Sequence, residues 1–534
     1  MWVASLVALG PPCSLPCRTA WATAEHSLPT VLLDSGKVSG LVLGAKGDIS
    51  VYKGLPYAAP PVGALRFRPP HPPEPWEGVR KCTEFKPACP QPDILSRLYR
   101  TRFESMSEDC LYLNVWAPTD KGQGGLPVMV WIHGGGNISG AGSTPMYDGE
   151  ALARKGAVIV TLNYRLGPFG FLAHPWLSAE SPGGVSGNYG LLDQIAALRW
   201  VQRNIRAFGG DPGLVTIFGE SAGGLNVCCL MASPLATGLF HRAIAQSGHA
   251  FGRIRHLRET WYRQEPMERQ GERIAEALGS KGLADLRGMS AQRLLDASKP
   301  TIGLMQEPGN RFGPVVDGWV IPDDISAVFA AKRQNDVPLL AGSNGDEGTI
   351  FAMRPALQGI EAYRALVRGV YGALAEEVLA LYPVKEASEI PKAMAALLGD
   401  LGFVAGMRAF VRGMTGAKSK AYLYHFTMRP PGPFGDRLGA FHGAEIPFVF
   451  DNLGQGLAPS DGRRQALAKV MSDSWIRFAR TGDPNGLGLP HWPPYDPATD
   501  CHLEFGEVIR VGQGLRKEAC DLFDRIVEDQ RKRR

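Results

Sequence analysis

No apolar run in the 534-residue chain reaches the roughly 18 residues that a membrane-spanning helix needs, which predicts a soluble mature protein. Charge of one sign is also scarce. The formal net charge is +5, and Lys and Arg are scattered apart from the terminal Arg531-Lys532-Arg533-Arg534, so a nucleic-acid partner has no basic stripe to use. No spacing of Cys and His resembles a metal site, and no cofactor is expected. Internal repeats and low-complexity linkers are missing too, which argues against solenoids and strings of independent modules.

What is present suits a large globular enzyme. With 44% hydrophobic and 20% charged residues the chain can bury a substantial core and shows no sign of disorder. Length alone leaves one domain or two open. Trp2 to Leu9 is apolar and Ala22-Thr23-Ala24 fits a small-residue cleavage site, so residues 1–24 read as an export signal. The missing basic n-region and Pro11, Pro12 and Pro16 leave a disordered leader, or a start codon placed too early, as the alternative. Nine cysteines cannot all pair within one chain. Cys89 and Cys110 flank a turn-rich, charged segment and are the pair expected to bond in an exported protein; closing a loop of about 20 residues contributes on the order of 3 kcal/mol. Cys228 and Cys229 read as buried small hydrophobes.

Residues 30–70 alternate short β-like runs with glycine turns, as antiparallel meanders do. From residue 127 the pattern changes. Val128-Met129-Val130-Trp131-Ile132 and Val158-Ile159-Val160-Thr161-Leu162 are continuous apolar runs of the kind buried on both faces of a parallel sheet. Leu191, Ile195, Leu198, Val201 and Ile205 recur at helical spacing. Further strands are expected at 243–246, 337–341 and 422–426, with Leu-, Ala-, Arg- and Glu-rich helices over 251–300 and 355–415. Alternation of strand and helix argues for an α/β fold, in one catalytic domain over 25–534 with helical insertions near 251–310 and 355–415 that cap a substrate site.

The chemistry concentrates at Val215-Thr216-Ile217-Phe218-Gly219-Glu220-Ser221-Ala222-Gly223-Gly224. A β run enters a G-x-S-x-G turn, and from Leu225 to Met231 a helix begins, so Ser221 would sit on a tight elbow with its hydroxyl in a cleft. Gly219 and Gly223 leave room for the backbone to fold around it. His133-Gly134-Gly135-Gly136 follows a buried strand and can present backbone N–H groups to an oxyanion, joined by that of Ala222. A serine hydroxyl needs a base, and the base an orienting acid. Of eleven histidines, His425 reads as packed in the sheet, and His241 and His249 stay undecided. His442 lies on the glycine-flanked loop Gly439-Ala440-Phe441-His442-Gly443-Ala444-Glu445 after the last expected core strand, which suits a mobile imidazole. Asn344-Gly345-Asp346-Glu347-Gly348 offers two carboxylates, and the order serine, acid, histidine is that of α/β-hydrolases.

The run from Phe208-Gly209-Gly210-Asp211 through Gly219-Glu220-Ser221-Ala222-Gly223, with Ser107-Glu108-Asp109-Cys110-Leu111-Tyr112-Leu113-Asn114-Val115, resembles the two signatures of the type-B carboxylesterases. The likeness extends from about Val38 to Phe450 and implies an α/β-hydrolase fold, a large, mostly parallel central sheet flanked by helices. It implies Ser221 as nucleophile, Glu347 rather than Asp346 as acid, His442 as base, and Gly135, Gly136 and Ala222 as oxyanion donors. Ser247 would be a hydroxyl beside the triad, and Glu220 a charged neighbour of the nucleophile whose role stays open. Ion pairs Arg66 with Glu108 and Arg165 with Asp193, and the Cys89–Cys110 disulfide, also follow from the resemblance. The expected substrates are small-molecule carboxylic esters of small to medium acyl size; a lipase, an amidase or a non-catalytic adhesion module on the same fold are the alternatives. Oligomeric state is left open. The chain departs from many animal relatives in having no cysteine between Cys229 and Cys501, which suggests a bacterial-type member. Residues 90–109 contain no tryptophan to bind a quaternary ammonium, and the C-terminus has no KDEL-like tail.

Overall fold

Strands with apolar residues on both faces must be covered on both sides, and this requirement sets the architecture. The computed structural model describes residues 29–93, 103, 105–121, 125–252, 254–261, 264–301, 309–352, 357, 359–455 and 461–532. The expected leader, residues 1–24, lies outside them. One sheet contains, in chain order, β1 (Leu41–Leu43), β2 (Ile49–Pro56), β3 (Tyr112–Pro118), β4 (Leu126–Ile132), β5 (Val158–Leu162), β6 (Gly210–Glu220), β7 (Arg242–Gln246), β8 (Leu339–Asn344), β9 (Ala421–Phe426), β10 (Cys501–Phe505) and β11 (Arg510–Gln513). Their spatial order is β11-β10-β9-β8-β7-β6-β4-β5-β3-β2-β1. Pairing is parallel from β5 through β4, β6, β7, β8 and β9 to β10, and antiparallel at both margins.

Alternate residues of the central strands feed two separate cores. Val128, Val130 and Ile132 of β4 and Ile217 of β6 face a core that includes Leu191, Ile195, Leu198 and Val201 of the helix Tyr189–Asn204. Met129, Trp131 and Phe218 face the other, which contains Met471, Trp475 and Phe478 of the helix Gly462–Thr481. The expected α/β-hydrolase architecture is the one observed.

Several boundaries differ from the sequence reading. The meander over 30–70 splits: Thr30–Leu33 and Gly36–Ser39 form a hairpin that joins Val79–Lys81 in a separate three-stranded sheet, the last pairing parallel. β8 starts at Leu339, because Pro338 has no N–H to give the ladder, and it runs on to Asn344 opposite Phe426. The segment 251–300 holds the helices Met267–Ala277, Leu283–Gly288 and Ala291–Ser298, but also a two-residue strand, Arg255–His256, parallel to Val315–Val316. β10 and β11 follow the strand expected to be last. The stretch Ala387–Gly413 forms a continuous helical run, with a π turn over Asp400–Val404, that is long and apolar enough by composition to cross a membrane. Most of it is buried inside the protein, which accounts for its apolar faces as core packing.

Cys89 and Cys110 are bonded, and Cys82, Cys228, Cys229, Cys501 and Cys520 are free and buried. Arg165 donates from Nε and Nη2 to Asp193 at 2.8 and 2.7 Å, wholly inside the protein. Arg66 pairs with Glu108 and also donates to the carbonyls of Leu286, Arg287 and Met289, holding the end of the helix Leu283–Gly288.

Candidate active site

β6 ends at Glu220 and a helix, Ala222–Ala232, starts immediately beyond Ser221, three residues earlier than the sequence suggests. Ser221 alone makes the turn, at φ 57° and ψ −121°, a sparsely populated conformation for a residue with a side chain that costs on the order of 1–3 kcal/mol. Its N–H donates to the Gln246 carbonyl at the end of β7 (2.8 Å) and its carbonyl accepts from Leu225 (2.9 Å). The flanking glycines are there for space. A Cβ on Gly223 would lie 1.9 Å from the Ile132 carbonyl of β4, and one on Gly248 1.9 Å from the Ser221 carbonyl.

Beyond β4 the chain turns through Gly135 (φ 106°), Gly136 (φ 65°) and Asn137 (φ 59°). The N–H groups of Ile138 and Ser139 both close on the Gly135 carbonyl, at 3.1 and 3.0 Å. Those of Gly135 and Gly136 meet no acceptor among the described residues. Ala222, as the first residue of its helix, has an N–H that the helix cannot satisfy. His133 is buried with its Nδ1–H donating to the Gly134 carbonyl (2.8 Å) and its ring stacked on Tyr164. Burial holds its pKa down to about 4, against the pull of that carbonyl, so the ring is neutral.

The expected acid and base meet. Glu347 Oε2 lies 2.6 Å from His442 Nδ1, and Glu347 Oε1 accepts from the Asn344 N–H at the end of β8 (2.7 Å). Both side chains are buried, and the ring of His442 packs against Phe351 and Phe403. The glycine-flanked loop thus places the imidazole between two aromatic rings and a carboxylate. Asp346 turns away: its carboxylate accepts from the Ala440 N–H (2.8 Å) and shapes the loop that carries His442.

His442 Nε2 lies 3.2 Å from Glu220 Oε1, and no hydrogen bond joins it to Ser221 among the described residues. A third carboxylate, Glu445, is wholly buried beside Glu347 and accepts from Gln246 Nε2 (3.0 Å) and Asn344 Nδ2 (2.5 Å). Burial pushes the Glu220 carboxyl up to about 8, with Glu445 and Glu347 adding to the rise and His442 opposing it. Burial alone would lower His442, but Glu220, Glu347 and Glu445 override it and hold the imidazole up at about 9. Burial and then Glu347 raise Glu445 as well. Ser247 is buried at φ 49° after β7, and its hydroxyl has no hydrogen-bond partner among the described residues. Glu445, Gln246 and Asn344 escaped the sequence reading; the one available signal was Glu445 three residues beyond His442, on the same turn. Among the described residues no group of three or more His, Cys, Asp or Glu is arranged to hold a metal.

A serine on a strand-to-helix elbow, a glycine loop after the neighbouring strand and a buried histidine–carboxylate pair on two later loops define an α/β-hydrolase of the serine type. The profile of the carboxylesterase family matches residues 27–523. The chain is 41% identical to the fumonisin B1 esterase of Sphingopyxis macrogoltabida, over 89% of this chain and 87% of that one. It is 40% identical to the para-nitrobenzyl esterase of Bacillus subtilis (strain 168), over 87% and 92%. The solved structure of a thermophilic PNB esterase superposes with a TM-score of 0.82 at 35% identity, covering 92% of this chain and 99% of the other. The chain belongs to the carboxylesterase family and is a carboxylic ester hydrolase.

Proposed function

We propose that residues 25–534 form one catalytic domain that cleaves carboxylic esters of small to medium acyl size through an acyl-serine intermediate. The carrying observation is the buried pair of Glu347 and His442, 2.6 Å apart, with His442 Nε2 3.2 Å from Glu220, the chain neighbour of a serine held in a strained turn. In this reading Ser221 Oγ attacks the ester carbonyl while His442 Nε2 takes its proton. The N–H groups of Gly135, Gly136 and Ala222 hold the resulting oxyanion. The bond to the alkoxy oxygen then breaks, and the alcohol leaves with the proton from His442. Water attacks the acyl carbon, gives its proton to His442 and releases the acid, and Ser221 recovers its proton. For the first step Nε2 must turn from Glu220 toward Ser221, a contact that substrate binding tightens. Glu347, bonded to Nδ1, fixes the tautomer and stabilises the imidazolium. The Cys89–Cys110 bond supports an oxidising, exported setting.

The test is covalent. Diethyl p-nitrophenyl phosphate should release one equivalent of p-nitrophenol and leave a diethylphosphoryl group on the peptide containing Ser221; a protein that stays unmodified, or is modified elsewhere, would sink the reading and favour the adhesion-type alternative. Rates over a series of ester chain lengths separate this substrate range from that of a lipase, and an anilide counterpart separates it from an amidase.

Glu220 sets the pH range in this scheme. The Glu220 carboxylate stabilises the protonated imidazole, so His442 gives up its proton only at higher pH, and kcat/KM falls as pH drops through that value. Glu220→Gln removes this charge. The acid limb of kcat/KM should move down by about 1–2 pH units, and a limb that stays in place or moves up contradicts the assignment.

A further inference from the structure

The oxyanion donors sit on two elements that share no backbone: Gly135 and Gly136 on the loop after β4, and Ala222 at the start of the helix after β6. Register between the strands, Ile132 opposite Gly219, brings the two near each other, and the Gly167 N–H holds the Asn137 carbonyl from a third segment at 2.8 Å. Among the described residues one side-chain bond crosses the gap. Asn226, one helical turn beyond Ala222 and therefore on the same face, donates from Nδ2 to Asn137 Oδ1 at 2.9 Å. Asn137 directly follows Gly136. The single O–H of Tyr164 is within reach of the His133 carbonyl (2.9 Å) and of the same Asn137 Oδ1 (3.3 Å), and it donates to one of them at a time. Asn137, Tyr164 and Asn226 are all buried.

We infer that Asn226 and Asn137 form a strut that sets the distance between the two halves of the oxyanion site, making both positioning residues for ester cleavage. Stability is a poor explanation for the pair. Asn226 Oδ1 is buried and has no hydrogen-bond partner among the described residues, and an unmet buried acceptor carries a desolvation cost that an apolar side chain of similar size would avoid. The Asn226–Asn137 bond therefore contributes geometry at some cost in stability. Asn137 itself tolerates φ 59° better than most residues with a side chain, so the acceptor can stand at the one position where the glycine run ends.

The inference rests on Ser221 as the nucleophile, and its test keeps the two apart. The variants are Asn226→Leu, similar in size but without a donor; Asn137→Gly, which accepts the positive φ; their double variant; and Tyr164→Phe. Each is measured for melting temperature, for kcat and KM on an ester, and for the Ki of an alkyl trifluoromethyl ketone, whose adduct with a serine carries an oxyanion. For folded variants kcat should fall about 10–100-fold with KM within about twofold, and the ketone Ki should weaken by the same factor. The double variant should be no worse than the worse single one. Tyr164→Phe, the mildest change, should lose kcat in the same direction and serves if Asn226→Leu does not fold. Unchanged kcat, a loss confined to KM, a kcat loss without weaker ketone binding, or losses that multiply in the double variant would overturn the strut. If the nucleophile is wrong instead, the unaltered protein will not bind the ketone; if only the strut is wrong, the ketone inhibits unaltered protein and variants alike.

Discussion

Ser221→Ala should lower kcat by about 10⁵-fold or more while the melting temperature holds or rises. In the proposed mechanism the hydroxyl forms the covalent bond and no neighbour can replace it, so the residual rate over water would come only from the proposed oxyanion donors and substrate binding. Alanine keeps the strained turn and drops only the polar group placed there for chemistry, so the fold loses nothing by the change. Stopped assays with a p-nitrophenyl ester and a thermal melt decide the matter together. A variant that hydrolyses the ester at the unaltered rate removes Ser221 from the mechanism, whereas one that melts far earlier shows only that the fold was damaged.

Glu347→Gln should cost about 10⁴-fold in kcat, and Asp346→Asn far less. Both carboxylates stand on the loop after β8, but only Glu347 reaches His442 Nδ1; Asp346 is spent on the Ala440 N–H. An amide at 347 can present its NH₂ to Nδ1 and select the wrong tautomer, placing the proton on Nε2, where it blocks acceptance from serine. The ranking is the measurement. If Asp346→Asn proves the worse of the two, the orienting acid is Asp346 acting through a rearranged loop.

The parts of this architecture that were legible in the sequence are those encoded locally. The run 128–132 announces a doubly buried strand because every residue in it is apolar, and the elbow is visible because Gly219, Ser221 and Gly223 are confined to five positions. The spacing of Leu191, Ile195, Leu198 and Val201 likewise describes a helix before any contact is known. What escaped is non-local or faint. β11 is largely exposed, and β10 is a five-residue strand with charged Glu504 inside it, so neither has the apolar signature of β4. Glu445, Gln246 and Asn344 come from three separate segments and become one cluster only when β7, β8 and the loop after β9 lie side by side. Glu220 illustrates the difference well: its neighbourhood to Ser221 is trivial in sequence, yet its contact with His442 joins the end of β6 to a loop more than 200 residues further along the chain.

The crowding at the elbow also has a practical side for anyone wishing to redesign the enzyme. A methyl group at Gly223 or Gly248 would collide with a main-chain carbonyl, not with a side chain that could swing aside. Randomised libraries that include these positions would therefore spend most of their members on proteins that cannot assemble. Diversity is better placed at Phe351 and Phe403, whose rings touch the imidazole through side chains alone.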